Sequence, residues 1–116
     1  MDTPKIFDSE YRFCLILWRE EPINSTKLAR LCREELGWSR TTTYTVIKRL
    51  SDRVVVKNEN ATVRSLVSKE EVQASEMDEL LEKTFEGSLP DFIAAFARRQ
   101  KLTEEEVAEL RRIIES

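Results

Sequence analysis

The side chains that could do chemistry are concentrated between residues 39 and 50. In a helical projection, one side of this segment carries hydroxyl, aromatic and basic groups at i, i+3, i+4 and i+7: Thr41, Tyr44, Thr45 and Lys48. Arg40, Thr42 and Arg49 flank this side, and no acid lies on it up to Leu50. Such groups bind phosphate oxygens, base edges and thymine methyl groups. The pattern predicts a surface that contacts double-stranded DNA; the alternative is a threonine-rich surface helix without a function.

The opposite side of the same segment is predicted to face a core. Its residues recur at helical spacing: Thr43, Val46, Ile47 and Leu50. Ser39 stands where its side chain would cap the helix, and the N–H groups of that first turn could bind a phosphate. The predicted DNA-contacting residues are Ser39, Arg40, Thr41, Thr42, Tyr44, Thr45, Lys48 and Arg49, together with two bases of a following hairpin, Lys57 and Arg64.

Two further helices are predicted before this segment. Asp8 is placed to cap the first helix, and the Pro22 region to end it. Asn24 is placed to cap the second helix, and Gly37 to end it. The DNA-contacting segment would therefore be the third helix of the chain.

A β-hairpin is predicted after the third helix. The β-branched run at residues 54–56 indicates one strand and residues 62–67 a second, with a turn at residues 58–60. Three helices and a hairpin in this order are the layout of a winged helix-turn-helix. The predicted fold class is mostly α, with a winged helix-turn-helix domain and its small β-hairpin wing at residues 1–68.

Residues 69–116 are predicted to form a three-helix dimerisation region. Polar capping sequences at residues 68–71, 88–91 and 103–106 mark the helix starts. Three short helices cannot enclose a core, yet many apolar side chains here require burial: Leu80, Leu81, Phe85, Leu89, Phe92, Ile93, Phe96, Leu110, Ile113 and Ile114. Packing on the N-terminal domain would bury them, but we favour a homodimer, whose two-fold symmetry doubles the contacts to DNA.

Charge is distributed unevenly along the chain. Residues 1–66 contain 12 Lys and Arg against 9 Asp and Glu, whereas residues 67–116 contain 7 against 13. A basic part on an acidic part is typical of a protein whose first part binds a polyanion. Ordinary solvated helix faces would give the same count, so charge alone leaves both interpretations open.

Several functional classes are disfavoured by composition. The chain contains no histidine and only two cysteines, Cys14 and Cys32, which we interpret as buried free thiols. We therefore predict no enzyme, no metal and no cofactor. No apolar run approaches the roughly 18 residues of a membrane span, and the N-terminus lacks a secretory signal. A cytoplasmic protein without membrane insertion is predicted.

Several segments resemble the penicillinase and methicillin-resistance repressor family. Gly37-Trp38-Ser39 and residues 45–50, TVIKRL, resemble its recognition-helix signature. Residues 8–18 are similar to its first helix, and residues 66–71 to its exit from the wing. Residues 87–111 resemble its C-terminal dimerisation helices. The resemblance runs in order along nearly the whole chain.

This resemblance implies a dimeric bacterial repressor on inverted-repeat operators, and a membrane sensor of β-lactams that triggers its proteolysis. Three positions depart from the family's pattern. Arg53-Val54 stands where Lys-Gly is usual, so the turn into the wing is expected to differ. Residues 61–64 contain one base where the wing is usually rich in Tyr and Arg. Ala95-Phe96 stands at the cleavage point, where Asn-Phe is typical, and we predict resistance to cleavage there.

Two classes of function remain after this reasoning. The favoured one is a sequence-specific transcriptional repressor that binds DNA as a homodimer. The other is a winged-helix protein-interaction module that has lost DNA binding. The acid-free helix face favours the first, whereas the weakly basic wing and the net charge of −3 favour the second.

Overall fold

The computed structural model describes residues 3–116, which form two compact units, one ending at Glu76 and the other spanning Met77–Ser116. The elements in chain order are α1 (Asp8–Glu20), β1 (Ile23–Asn24), α2 (Ser25–Leu36), α3 (Arg40–Asp52), β2 (Val56–Glu59), β3 (Thr62–Ser65), α4 (Lys69–Phe85), α5 (Leu89–Arg99) and α6 (Glu104–Glu115). The predicted fold class, a mostly α winged helix-turn-helix with a small wing and C-terminal helices, is confirmed.

The helix starts follow the polar residues that precede them, with one exception. Asn24 accepts a hydrogen bond from the N–H of Thr26 at 2.8 Å and caps α2 as predicted. The prediction that Asp8 caps α1 was wrong, because Asp8 is already helical and Phe7 holds the cap position. There the carboxylate of Glu10 accepts from the N–H of Phe7 at 3.0 Å, so a residue inside the first turn satisfies the free backbone donor.

The first unit has an apolar core built from the helices and the sheet. Phe13 and Leu17 of α1, Leu28 of α2 and Leu50 of α3 are fully buried there. Val72, in the first turns of α4, also lies in this core. This packing extends the first unit to Glu76, whereas the division at residue 68 stays a prediction about function.

The sheet has three antiparallel strands in the order β1-β3-β2. Its hairpin, β2 and β3, was predicted, but β1 was not, because two residues are too short to show an alternating pattern. The turn lies at Asn60-Ala61 and not at residues 58–60, since both residues have positive φ, of 54° and 63°. Such a two-residue turn matches the twist of the strands that it joins.

The first strand of the hairpin begins later than predicted. Val54 has a φ of 62° and is 63% exposed, so it belongs to the turn after α3 and not to a strand. This left-handed conformation favours glycine, and a β-branched side chain adopts it at a cost. The turn into the wing therefore has, at Val54, a backbone conformation that a glycine would adopt without strain.

Both cysteines are buried free thiols, as predicted. Burial raises the pKa of the Cys14 thiol to about 12, and it raises the pKa of the Cys32 thiol as well. Both side chains are therefore protonated at neutral pH and pack as small apolar groups.

The second unit consists of helices whose ends are well capped. Ser88 caps α5 by accepting from the N–H of Asp91 at 3.2 Å, and Thr103 and Glu106 form a reciprocal capping box at α6. None of the residues described between 77 and 116 is buried. Local hydrogen bonding thus forms these helices without an enclosed core.

Candidate nucleic-acid interface

Helix α3 presents two distinct faces. Thr43, Val46, Ile47 and Leu50 are buried, as the sequence predicts. Ser39 caps the helix because its Oγ accepts from the N–H of Thr42 at 3.1 Å, and the two hydroxyls lie 2.9 Å apart. The hydroxyl groups of both residues are thus engaged at the helix start.

The outer face of α3 is accessible. Thr41, Thr45, Lys48 and Arg49 are exposed and Tyr44 is half-buried. The guanidinium carbon of Arg40 lies 5.6 Å from the centre of the Tyr44 ring, and its Nη2 lies 3.5 Å from the phenol oxygen. This contact, with hydroxyl contacts from the start of α2, lowers the pKa of Tyr44. Arg40 and Tyr44 therefore form a pre-arranged pair at one end of the face.

The outer face includes an acid that the sequence interpretation placed outside the helix. Helix α3 extends past Leu50 to Asp52, one turn beyond Lys48. The Lys48 Nζ lies 3.7 Å from the Asp52 carboxylate, and both side chains are largely exposed. The statement that the face lacks acids therefore holds only for its first three turns. Such an exposed pair is weak and can exchange for contacts with a polyanion.

A partly buried ion pair fixes the end of α3. Arg53 binds both carboxylate oxygens of Glu10, at 2.6 and 2.9 Å, and also donates to the Lys5 carbonyl oxygen at 2.8 Å. Hydrogen bonding from Arg53 holds the pKa of Glu10 below its ordinary value. The bidentate geometry restrains the C-terminal end of α3 against the start of α1. Residues so far apart in the chain gave no sequence signal for this pair.

The wing places like charges opposite each other. Lys57 on β2 and Arg64 on β3 are register partners, an arrangement that costs stability in a sheet. Glu59, whose carboxylate lies 3.1 Å from Lys57 Nζ, offsets one of the two charges. Arg64 forms no ion pair among residues 3–116. These side chains, with Asn60 and Thr62, line a shallow concave surface on the wing.

The base of the wing is attached to α1 by polar contacts. Glu21 accepts from the backbone N–H of Ser65 at 2.6 Å and from its hydroxyl. The indole N–H of Trp18 donates to the carbonyl oxygen of Val67 at 3.0 Å. These bonds fix where the hairpin leaves the core and so position Arg64.

A groove beside the N-terminus of α3 was missed by the sequence interpretation. It encloses about 210 Å³ and is lined by Thr26, Ala29, Arg30, Arg33 and Arg40. Four of these residues lie on α2 at helical spacing, and Arg40 begins α3. Their common i, i+3, i+4, i+7 pattern in the sequence could have revealed the stripe.

The residues predicted for a dimer interface are incompletely covered in the second unit. Phe85, Phe92 and Phe96 form a run of ring contacts with centroid distances of 5.5 and 6.3 Å. Leu81, Phe85 and Phe92 are half-buried, whereas the other predicted residues are exposed: Leu80, Leu89, Ile93, Phe96, Leu110, Ile113 and Ile114. Ile114 is the most open of them, at 74%.

A membrane-spanning helix and a cluster of metal-binding side chains are both absent from residues 3–116. No helix in this range is both long and apolar enough to span a membrane. No group of three or more Cys, Asp or Glu side chains in the same range is arranged to hold a metal ion.

A helix with a polar outer face, held on two others and followed by a short hairpin, defines a winged-helix protein of the class that regulates transcription. Over residues 6–116 the chain matches the penicillinase repressor family, and it belongs to that family of transcriptional repressors.

Named relatives are similar along nearly their whole length. The chain is 23% identical to the methicillin resistance regulatory protein MecI of Staphylococcus aureus, strain Mu50, covering 97% of this chain and 94% of that protein. It is 22% identical, with the same coverage, to the proteins of that name from Mammaliicoccus sciuri and Staphylococcus epidermidis.

Proposed function

We propose that the protein is a cytoplasmic, sequence-specific repressor that binds inverted-repeat operators in double-stranded DNA as a homodimer. The observation that carries this proposal is the outer face of α3, where Thr41, Thr45, Lys48 and Arg49 are exposed above a fully packed inner face. A rigid helix with donors on its free side fits the major groove. Residues 1–68 would bind DNA and residues 69–116 would dimerise.

Each part of the outer face has a role in this proposal. Thr41, Tyr44 and Thr45 would contact base edges and thymine methyl groups, and Lys48 would lie towards the bases. Arg49 would contact a phosphate. Lys57 and Arg64 would carry the wing's contacts to the backbone, which also gives a reason for two like charges in register.

The homodimer is supported by the unfinished burial of the second unit. An isolated unit without any buried residue leaves its apolar side chains in water, and a second copy would cover them. A two-fold axis would also present two copies of α3 to two half-sites.

A membrane sensor that acts on the protein by proteolysis is a further proposed partner. The relatives carry the name of a methicillin resistance regulatory protein, and regulation of this kind needs a signal that removes the repressor from DNA. The chain itself has Ala95-Phe96 at the corresponding position, inside α5.

A protein-interaction module without DNA binding is the second candidate. Two ion pairs favour it, since Asp52 pairs with Lys48 and Glu59 with Lys57 on the surfaces that would meet DNA. Weak exposed pairs of this kind are readily displaced by phosphates, which is why we place this candidate second.

A gel shift separates the two candidates. The wild-type chain should retard DNA from its own promoter region, and random DNA of equal length only at higher protein concentration. Thr45→Ala should weaken the specific complex by about 1–3 kcal/mol and leave random DNA nearly unaffected, because Thr45 would read bases. Glu104→Ala, on exposed α6, is the control. No retardation by the wild-type chain would favour the interaction module, and equal losses on both DNAs would contradict base reading by Thr45.

A further inference from the structure

The groove between α2 and the start of α3 is unusually basic for so small a surface. Three of its five lining residues are arginines, and the others are Thr26 and Ala29. The lining therefore combines three arginine side chains, largely through their aliphatic stems, with a threonine and a small apolar residue. The guanidinium groups at the ends of these side chains are suited to an oxyanion such as phosphate.

The positive charge of the groove is not neutralised within the unit. Among residues 3–116, none of Arg30, Arg33 and Arg40 forms an ion pair, and Arg40 is engaged by the ring and the phenol oxygen of Tyr44. The nearest acids on α2 are Glu34 and Glu35, and Glu35 is bound by Arg19 of α1 at 2.5 and 3.0 Å. Like charges close together without a counter-charge cost stability, so an anion at this place would relieve repulsion.

The groove is continuous with the outer face of α3. Arg40 lines the groove and at the same time stacks on Tyr44, a predicted base-contacting residue. Tyr44 in turn contacts the first turn of α2 through Thr26, which also lines the groove. A DNA strand lying along α3 would therefore pass the mouth of the groove.

We propose that this groove binds one backbone phosphate of the DNA beside the bases read by α3, with Arg30 and Arg33 as its principal ligands. The inference rests on the proposed DNA binding and extends the interface to a face of α2. Its contact is to phosphate, so it adds affinity on any sequence and holds α3 in register along the groove.

The first experiment measures how binding depends on salt. DNA selected by the wild-type chain from a random pool is titrated with Arg30→Gln/Arg33→Gln across a range of potassium chloride concentrations. The slope of log affinity against log salt should fall by about one per protomer, and affinity should fall by a similar factor on selected and random DNA. Circular dichroism verifies that the variant is folded.

The matched control removes two charges away from the groove. Arg12→Gln/Lys101→Gln changes the net charge equally, and both side chains are exposed outside the proposed interface. Its salt slope should stay close to that of the wild type. Equal slopes for the groove variant and the wild type would overturn the inference alone, whereas a wild type that binds no DNA would overturn the proposed function itself.

A second experiment identifies the phosphate. Uncharged methylphosphonates are placed one at a time along the selected DNA. One position per half-site should weaken the wild-type complex and leave the Arg30→Gln/Arg33→Gln complex unchanged, because the partner of that phosphate is already missing. Losses that are equal for both proteins at every position would contradict the assignment.

A third measurement distinguishes DNA from a free phosphate compound. At constant ionic strength, inorganic phosphate should not raise the melting temperature of the wild type more than that of the groove variant. Selective protection of the wild type, combined with an unchanged DNA salt slope, would assign the groove to a small phosphorylated ligand and overturn the proposal.

Discussion

The unit that ends at Glu76 and the unit spanning Met77–Ser116 differ in how completely they bury their apolar side chains. The first encloses Phe13, Leu17, Leu28 and Leu50 completely, together with the valines of its sheet. The second has helices of comparable length and good caps, but none of the residues described between 77 and 116 is buried. Capping and helix propensity form helices in both units, but only the helices of the first unit pack together into a core.

Charge follows a similar division, although its boundary lies after residue 66, ten residues before the end of the first unit. The first 66 residues carry an excess of bases and the last 50 an excess of acids. A basic segment such as residues 1–66 is suited to a polyanion. In an acidic unit with exposed apolar faces, a second copy of the chain would bury those faces. The negative charge of such a unit is repelled by DNA. This contrast supports the proposal that the first unit recognises DNA and the second unit assembles the dimer.

The largest effect is expected where assembly would be broken. Phe92→Asp places a charge between Phe85 and Phe96, on the face proposed to be covered by a second copy. Sedimentation should show a monomer, and operator affinity should fall by about 100-fold or more because a single half-site supplies half of the contacts. Ala94→Asp, on the opposite side of α5, should remain dimeric. A wild-type chain that is monomeric at micromolar concentration would refute this assignment.

The second largest effect concerns the ion pair that restrains α3. Glu10→Gln leaves Arg53 without its carboxylate partner and should lower the free energy of unfolding of the first unit by about 2 kcal/mol. Both tryptophans, Trp18 and Trp38, lie in this unit, so denaturant unfolding followed by their fluorescence reports on it selectively. Glu34→Gln, on exposed α2, is the control and should change stability little.

The same pair predicts a pH dependence. Because Arg53 lowers the pKa of Glu10 from its ordinary 4.5, the stability that the carboxylate contributes is present above about pH 4.5. That contribution is lost as the pH falls through the lower pKa of the folded state. The wild type and Glu10→Gln should therefore differ most near pH 6 and converge in acid. A difference that persists unchanged at low pH would show that the charge is not its cause.

A smaller effect, of opposite sign, is expected at the turn into the wing. Val54→Gly should raise the free energy of unfolding by about 1 kcal/mol, because Val54 has a φ of 62° and its exposed side chain contributes little packing. Val54→Ala keeps a Cβ in the left-handed region and should gain less. A loss of stability in Val54→Gly would contradict the assignment of backbone strain to Val54.

The sequence predicted what local rules control and missed what depends on contacts between distant residues. The caps at Asn24, Ser39 and Ser88 and the buried side of α3 follow from neighbouring residues alone, and all are confirmed. Strand β1 exists only because β3 pairs with it, and it was missed. The extension of α3 to Asp52 shows that periodicity predicts the buried face of a helix better than the residue at which the helix ends.

The candidate site was predicted to a similar extent. The face proposed to contact bases could be predicted from periodicity, since one helix carries all of it. The Glu10–Arg53 pair, the Glu21–Ser65 bonds and the arginine groove each join separate elements. Such contacts require the fold before they can be recognised, which is why they were absent from the prediction.

The smallest effect is expected at Ala95-Phe96, where a β-lactam sensor system should produce no cut. The bond lies inside α5, where Phe96 accepts a hydrogen bond from Gln100 at 3.0 Å, and a protease must first unwind this helix. Alanine favours the helix over asparagine by a few tenths of a kcal/mol or more, and it offers no side-chain amide for recognition. We therefore expect mass spectrometry to find the intact chain after co-expression with a sensor and exposure to a β-lactam. Ala95→Asn, which creates the Asn-Phe pair typical of the family, should be cut under the same conditions and proves that the sensor is active. A cut after Ala95 in the wild type would show that the open second unit unfolds locally with ease, and that its lack of a core outweighs the identity of this residue.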